Sequence, residues 1–183
     1  AGYAFSQGKA DGALSLDETL ANVRAIVAAT DLPVAVDLEN GFSDDPTESA
    51  KSLLRAAEAG AVGGSIEDAT GRPDAPIYCF EHAVARIEAA VAAVRTLPFP
   101  FILTARAENY LHGNPDLDDT IRRLKAFADA GADVLYAPGL RNAEEVLAVV
   151  RAVAPKPVNV LMSGGLKLTV QELQDMGVRR IST

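Results

Sequence analysis

A turn from helix to strand recurs three times in this chain and constrains its fold more than any other feature. Residues 58–61, 129–132 and 175–178 each place a glycine at the end of a helical segment, and a buried apolar run follows within a few residues. Glycine is favoured there because it readily adopts the left-handed backbone that ends a helix. Repeated turns of this kind predict βα units, and βα units predict a parallel sheet covered by helices.

Six apolar runs are predicted to be the strands of that sheet. They cover residues 33–36, 62–66, 99–104, 134–137, 158–161 and 178–182. Segments with helical periodicity separate the runs. Side chains that favour helix N-caps begin five of these segments, at Ser15, Asp45, Asp116, Asn142 and Thr169. Residues 2–5 are interpreted as the end of a further strand.

Repeated βα units occur in two architectures, the (β/α)8 barrel and the doubly wound sheet. No nucleotide-binding motif of the form GxGxxG or GxxxxGK[ST] follows any run, which favours the barrel. A complete barrel usually needs about 250 residues, whereas this chain has 183. We therefore predict an α/β fold in which residues 1–183 form one domain. That domain is expected to be a partial TIM-type (β/α)8 barrel without its first strand and its C-terminal helices.

Charge and composition exclude several classes of partner. A net charge of -8 and a pI near 4.7 disfavour nucleic acids and anionic membranes. No apolar run approaches the roughly 18 residues that span a bilayer. The first residues also lack the basic start of a signal peptide. Because the chain has a single cysteine, we expect it in a reducing compartment, the cytoplasm.

Ionisable residues follow three of the predicted strands, at the edge where ligands bind in such folds. Asp37 and Glu39 follow the first strand, Glu67 follows the second, and Arg106 and Glu108 follow the third. Two carboxylates two residues apart on an extended backbone point the same way and repel each other unless a cation lies between them. Mg²⁺ takes one or two carboxylates and leaves positions for substrate oxygens. The pattern predicts a Mg²⁺ site at Asp37 and Glu39 with Glu67 nearby; the alternative is an ordinary turn that ends a strand.

Arg106 is expected to bind an anionic group of a substrate. Its planar guanidinium offers two parallel donors to a carboxylate or a phosphonate. The alternative is a structural arginine that pairs with a neighbouring carboxylate.

Elsewhere, we expect Cys79 to be a small buried thiol and His112 to be solvated. The arginine pairs at 122–123 and 179–180 are expected to be solvated or strand-end charges.

Four segments, taken in their order and spacing, resemble the isocitrate lyase/phosphoenolpyruvate mutase superfamily. They are residues 36–41, 66–68, 104–109 and 130–133. The resemblance implies a (β/α)8 barrel that binds Mg²⁺ and a 2-oxo acid or its enol form. It also implies that a C–C or P–C bond beside the oxo group is made or broken through an enolate-like intermediate.

The resemblance implies roles for individual residues. The metal-side carboxylates are Asp37, Glu39 and Glu67. The catalytic residues are Arg106, Glu108 and Asp11. The residues that contact the substrate are Gly2, Tyr3, Arg106 and Asn109.

The loop after the second strand departs from the superfamily pattern. The lyases carry a Lys-Lys-Cys-Gly-type loop there, whereas residues 68–76 contain no cysteine and Cys79 is out of register. The gating loop of the mutases is also absent, and Pro138 stands where they have a histidine.

We therefore expect a Mg²⁺-dependent lyase-type enzyme for a small 2-oxo acid or phosphonate, without isocitrate or methylisocitrate cleavage. The alternatives are phosphonomutase or phosphonopyruvate hydrolase activity, or a non-catalytic fragment of such a barrel. The full-length protein is expected to form a homo-oligomer.

Overall fold

Helices and strands alternate along the chain in the computed structural model, which describes residues 2–162 and 165–183. The helices are α1 (Gly2–Ser6), α2 (Leu16–Ala29), α3 (Pro46–Glu58), α4 (Phe80–Val94), α5 (Leu117–Asp129), α6 (Ala143–Val153) and α7 (Val170–Asp175). The strands are β1 (Ala35–Asp37), β2 (Gly63–Glu67), β3 (Ile102–Arg106), β4 (Val134–Tyr136), β5 (Val158–Leu161) and β6 (Arg180–Ser182). All six predicted strands are therefore present. Within the described ranges, no helix has the length and apolar character needed to cross a membrane.

The strands form one parallel sheet in which each strand pairs with the next along the chain. The order is β1-β2-β3-β4-β5-β6, and at least one helix separates each strand from the next. A doubly wound sheet reverses its strand order at a switch point, and no such reversal occurs in the described part of this chain. The sheet is the curled wall of a (β/α)8 barrel, of which the described residues supply six of the eight strands. The predicted partial barrel is confirmed.

Local sequence signals explain where the helices begin and end. Every predicted N-cap side chain accepts a backbone N–H from the first turn of its helix; these are Ser15, Asp45, Asp116, Asn142 and Thr169. The glycines of the three repeated turns, Gly60, Gly131 and Gly177, have φ of 98°, 106° and 92°. Their left-handed backbone lets the chain leave each helix and enter the next strand at once.

The core lies between the sheet and its helices, and it determines which side chains face the barrel interior. On β3, Leu103 and Ala105 belong to the hydrophobic core and are fully buried. Successive side chains of a strand point to opposite faces, so Thr104 and Arg106 face the interior. The sequence pattern of β3 therefore places an arginine inside the mouth of the barrel.

The prediction of a strand end at residues 2–5 is wrong, because these residues form α1. Only Ala4 of this helix is buried, and Phe5 is 61% exposed. No described strand pairs with the segment, so a helix satisfies its backbone groups locally: the Gln7 N–H donates to the Tyr3 carbonyl at 3.2 Å.

Two expectations about single side chains are also wrong. Cys79 is exposed, because the preceding residue, Tyr78, fills the buried position and is only 6% exposed. Arg123 is buried, because it lies on the same inward face of α5 as Leu124 and Phe127. The other member of that pair, Arg122, is exposed as expected.

Candidate active site

The loop after β1 turns sharply, and this turn brings two carboxylates to the same space. Glu39 has a φ of 50°, in the left-handed region, and its N–H donates to the Asp37 Oδ1 atom at 3.0 Å. Leu38 between them is fully buried and anchors the turn. The assumption of an extended backbone at this point was wrong. Even so, Asp37 and Glu39 do line one cavity.

Arg106 lies at the centre of the site and contacts three carboxylates. Its Nη1 atom is 2.5 Å from the Asp37 Oδ2 atom, its Nη2 atom is 3.2 Å from the Glu67 Oε2 atom, and its Nε atom is 2.8 Å from the Glu108 Oε1 atom. The ring of Tyr136 lies 5.2 Å from the guanidinium carbon. These contacts confirm that charged residues from β1, β2 and β3 converge. They also show that Arg106 pairs with neighbouring carboxylates, as the structural alternative requires.

A cavity of about 610 Å³ opens beside this cluster. Its wall contains Arg106 and five carboxylates, those of Asp11, Asp37, Glu39, Glu67 and Glu108. Tyr3 and the exposed His112 also line it. The carboxyl groups of this wall therefore outnumber its guanidinium by five to one.

Burial raises the pKa values of three of these carboxyl groups. Burial, and then the charge of Glu108, raises the pKa of Glu67 to about 8. Burial followed by the charge of Asp37 raises the pKa of Glu39. Burial also raises the pKa of Glu108, although Arg106 opposes the shift. Arg106 is itself buried, which disfavours its charge, yet Asp37, Glu108 and Glu67 together outweigh burial and raise its pKa.

The residues present suit Mg²⁺ by their chemistry. They offer carboxylate oxygens, which this ion prefers, and the Asp37 side chain is still 59% exposed. Burial, followed by the charges of neighbouring carboxylates, raises the pKa values of Glu39 and Glu67, and a bound cation would favour the ionised form of both groups. However, across residues 2–162 and 165–183 no group of three or more His, Cys, Asp or Glu side chains is arranged to hold a metal ion. Asp37 and Glu67 instead contact Arg106.

Two of the predicted substrate contacts do not line the cavity. Gly2 is the first residue of α1 and is absent from the cavity wall. Asn109 is buried, and its amide is used within its own loop: Nδ2 donates to the Asn114 and Asp116 carbonyls at 3.0 and 3.1 Å, and Oδ1 accepts from Thr120. The geometry therefore favours a structural use of Asn109, and its contact with substrate stays a prediction.

One supporting residue was missed by the sequence analysis. Arg86 is only 1% exposed and donates to the carbonyls of Asn40, Ser43 and Asp44, which hold the loop after β1. A signal was present, because Arg86 lies at the helical spacing of the buried side of α4, beside Ile87. An arginine at such a position must find partners inside the protein.

Comparison with known proteins gives consistent results. A family model described as phosphoenolpyruvate phosphomutase matches residues 1–183. A solved structure from Burkholderia cenocepacia J2315, provisionally assigned as a lyase/mutase, has a TM-score of 0.96 and 60% identity and covers 100% of this chain and 66% of that one. A protein of uncharacterized function from Mycobacterium tuberculosis is 30% identical over 183 residues, which is 100% of this chain and 66% of that protein.

A 2-methylisocitrate lyase of Salmonella typhimurium is 36% identical over 131 residues. This alignment covers 68% of the present chain and 43% of the lyase. These alignments cover between 43% and 66% of the length of the related proteins.

Proposed function

The chain belongs to the isocitrate lyase/phosphoenolpyruvate mutase superfamily, and from this premise we propose that it is a Mg²⁺-dependent enzyme of the lyase type. The proposed reaction cleaves a C–C bond beside the oxo group of a small 2-oxo acid, through an enolate-like intermediate. The observation that carries the proposal is the cavity at the ends of β1, β2 and β3, where five carboxylates and one arginine face the same space. Such a cavity attracts a divalent cation, and the cation allows an anionic substrate to bind there.

Asp37, Glu39 and Glu67 are the residues that would hold Mg²⁺. When bound, the ion supplies Lewis-acid chemistry, which draws negative charge from substrate oxygens. The contact of Asp37 and Glu67 with Arg106 supports this assignment, because it shows that both side chains reach the mouth of the barrel.

Arg106 is proposed to bind the substrate carboxylate, and Glu108 to hold it in the orientation for doing so. Glu108 is 3% exposed and contacts the Nε atom, which fixes the plane of the guanidinium. The two terminal nitrogens face Asp37 and Glu67, where a substrate carboxylate can take the place of either partner. Asp11, at the rim of the same cavity, is the proposed further catalytic residue. Gly2, Tyr3 and Asn109 remain proposed substrate contacts.

Calorimetry with oxalate, a mimic of enolpyruvate, tests this function. We expect the wild-type chain to bind oxalate only when Mg²⁺ is present, and Asp37→Ala to abolish that binding. Asp31→Ala is the matched control, because Asp31 is an exposed aspartate outside the cavity wall. Unchanged binding in Asp37→Ala would remove Asp37 from the site. A wild-type chain that binds no oxalate would favour a non-catalytic fragment.

The family model gives a second candidate function. Its description as phosphoenolpyruvate phosphomutase favours a phosphonate substrate, with phosphonomutase or phosphonopyruvate hydrolase activity. Phosphorus NMR of phosphonopyruvate incubated with the protein distinguishes these reactions, because a new phosphate ester or free phosphate appears only if the P–C bond breaks. Isocitrate and methylisocitrate cleavage are not expected, because residues 68–76 contain no cysteine.

The proposed setting is a homo-oligomer in the cytoplasm, without a nucleic-acid or membrane partner. Subunit contacts in such an oligomer would cover large apolar side chains that are exposed in the single chain, such as Phe5, Leu32 and Val170 at 61%, 75% and 57%. Analytical ultracentrifugation tests the oligomer, and a monodisperse monomer would contradict it.

A further inference from the structure

A buried ion pair lies behind the cavity without contributing to its wall. The Asp68 and Arg123 side chains are 2% and 9% exposed, and the Arg123 Nη1 atom is 3.1 Å from the Asp68 Oδ2 atom. Neither residue lines the 610 Å³ cavity. Arg123 also contacts the Asp119 Oδ2 atom at 2.7 Å through Nε and donates to the Tyr78 carbonyl at 3.0 Å.

The second oxygen of Asp68 is directed at the main chain of the site. Asp68 Oδ1 accepts the N–H of Glu108 at 2.8 Å, and the Asp68 N–H donates to the Arg106 carbonyl at 3.2 Å. Asp68 therefore fastens the residues that follow β2 to those that follow β3. The two hydrogen bonds flank Ala107, which lies between Arg106 and Glu108.

A buried ion pair of this kind is weak evidence for stability, because removing two charges from water costs about as much as their attraction returns. The contacts of this pair with the main chain of Glu108 suit a positioning role instead. We propose that Asp68 and Arg123 are positioning residues, which set the main chain of Glu108 so that its carboxylate holds the Arg106 guanidinium toward the cavity. Arg123 acts through Asp68 by fixing the carboxylate, and Asp68 acts through the Glu108 N–H.

The path from Asp68 to the Arg106 guanidinium passes through Glu108. The Glu108 Oε1 atom lies 2.8 Å from the Arg106 Nε atom. Because the guanidinium is planar, holding Nε sets the direction of both terminal nitrogens. If the Glu108 main chain shifts, the terminal nitrogens turn away from Asp37 and Glu67. The effect on ligand binding rests on the proposed function, whereas the orientation of Arg106 does not.

Two double variants test the proposal. Asp68→Ala/Arg123→Met removes both charges and the acceptor for the Glu108 N–H. Asp68→Asn/Arg123→Met removes the same charges but keeps an oxygen at the acceptor position. A residue with a merely structural role would give equal results in the two variants. If the alanine variant does not fold, Asp68→Cys/Arg123→Met replaces it, since a thiol fills the space but accepts hydrogen bonds weakly.

The readouts are the NMR signal of the Arg106 Nε–H group, assigned with Arg106→Lys, and calorimetric affinity for oxalate in the presence of Mg²⁺. We expect the alanine variant to shift the Arg106 signal and to lose at least about tenfold in affinity, as for the loss of one charge-assisted contact. The asparagine variant should shift the Arg106 signal less and lose less affinity than the alanine variant, because it keeps an acceptor for the Glu108 N–H although it lacks the arginine that fixes that acceptor. An unmoved signal in the alanine variant, or equal losses in both variants, would overturn the proposal. If the wild-type chain binds no oxalate, the proposed function fails, and the NMR signal still decides the positioning role.

Discussion

The two halves of the sheet's C-terminal edge differ in charge although their backbones are alike. The last residues of β1, β2 and β3 are Asp37, Glu67 and Arg106. The last residues of β4, β5 and β6 are Tyr136, Leu161 and Ser182. Every strand nevertheless pairs in parallel with the next. Since pairing is the same with and without ionisable ends, the sheet does not require the charges of the first half.

The two halves also differ in the free-energy cost of burying the side chains at their strand ends. Burying a carboxylate is unfavourable, and burial is the first cause of the raised pKa values of Glu67 and Glu108 in the first half. In the second half, apolar or neutral side chains occupy the strand ends. A buried, raised-pKa cluster at one part of a barrel mouth is typical of a site that binds charged ligands. Substitutions in each half can therefore test whether function is confined to the first.

The largest expected effect is at Arg106. Arg106→Ala removes the charge, and Arg106→Lys keeps the charge but loses the planar fork. By analogy with a lost oxyanion donor, we expect a loss of roughly 2–4 kcal/mol of transition-state stabilisation. The rate on the preferred 2-oxo acid should fall by at least about tenfold in Arg106→Lys and by more in Arg106→Ala. Steady-state kinetics measure the loss.

Leu161→Met is the control from the second half, because Leu161 ends β5 and methionine keeps its apolar character and nearly its volume. Its rate should stay within about twofold of wild type, as is usual for a substitution outside such features. If Arg106→Ala keeps its rate but lowers the melting temperature, Arg106 is only a structural partner of Glu108. The two halves would then not differ in function.

The sequence could predict the features that depend on neighbouring residues. The N-cap at Ser15 and the left-handed glycine at Gly60 need only a few adjacent positions. The convergence of Asp37, Glu67 and Arg106 could also be predicted, because parallel strands end at the same edge of a sheet. Together these features explain why the order of residues alone is enough to indicate both the fold class and the location of the candidate site.

Other features depend on which side chains meet in space, and these could not be predicted from sequence. The ion pair between Arg123 and Asp68 joins residues that are 55 positions apart in the chain. Exposure of Cys79 depends on Tyr78 filling the space beneath the loop. The contacts of Arg106 with Asp37 and Glu67 depend on distances between strands, which no spacing along the chain reveals.

A smaller effect is expected from Glu67, whose pKa is raised from 4.5 to about 8 in the folded protein. Between these values the unfolded chain releases its proton and the folded chain keeps it. The free energy of unfolding therefore falls as the pH rises through this interval, by up to a few kcal/mol in the absence of metal. Calorimetric melting in the presence of a chelator should show a melting temperature that decreases with rising pH.

Glu67→Gln isolates this group, because glutamine has nearly the same shape and does not titrate. The decrease in melting temperature should be smaller in this variant than in wild type. Adding Mg²⁺ to the wild-type protein should also reduce the decrease, since a cation favours the ionised carboxylate. If the wild type and Glu67→Gln show the same pH dependence, the titrating group lies elsewhere, and the charge contrast between the two halves loses this support.

The smallest effect is expected at Cys79, which is the N-cap residue of α4. It is exposed, and its side chain makes no capping hydrogen bond. Serine is a favoured N-cap, so Cys79→Ser should raise the free energy of unfolding by up to about 1 kcal/mol, or roughly 2–4 °C in melting temperature.

Because the Cys79 thiol is not part of the cavity wall, the rate of Cys79→Ser on 2-oxo acids should stay within a few-fold of wild type. A loss of about three or more decades in rate, well beyond any stability effect, would identify Cys79 as a catalytic acid or base. Catalysis would then also require the loop that leads into α4, and the site would extend beyond the three strand ends.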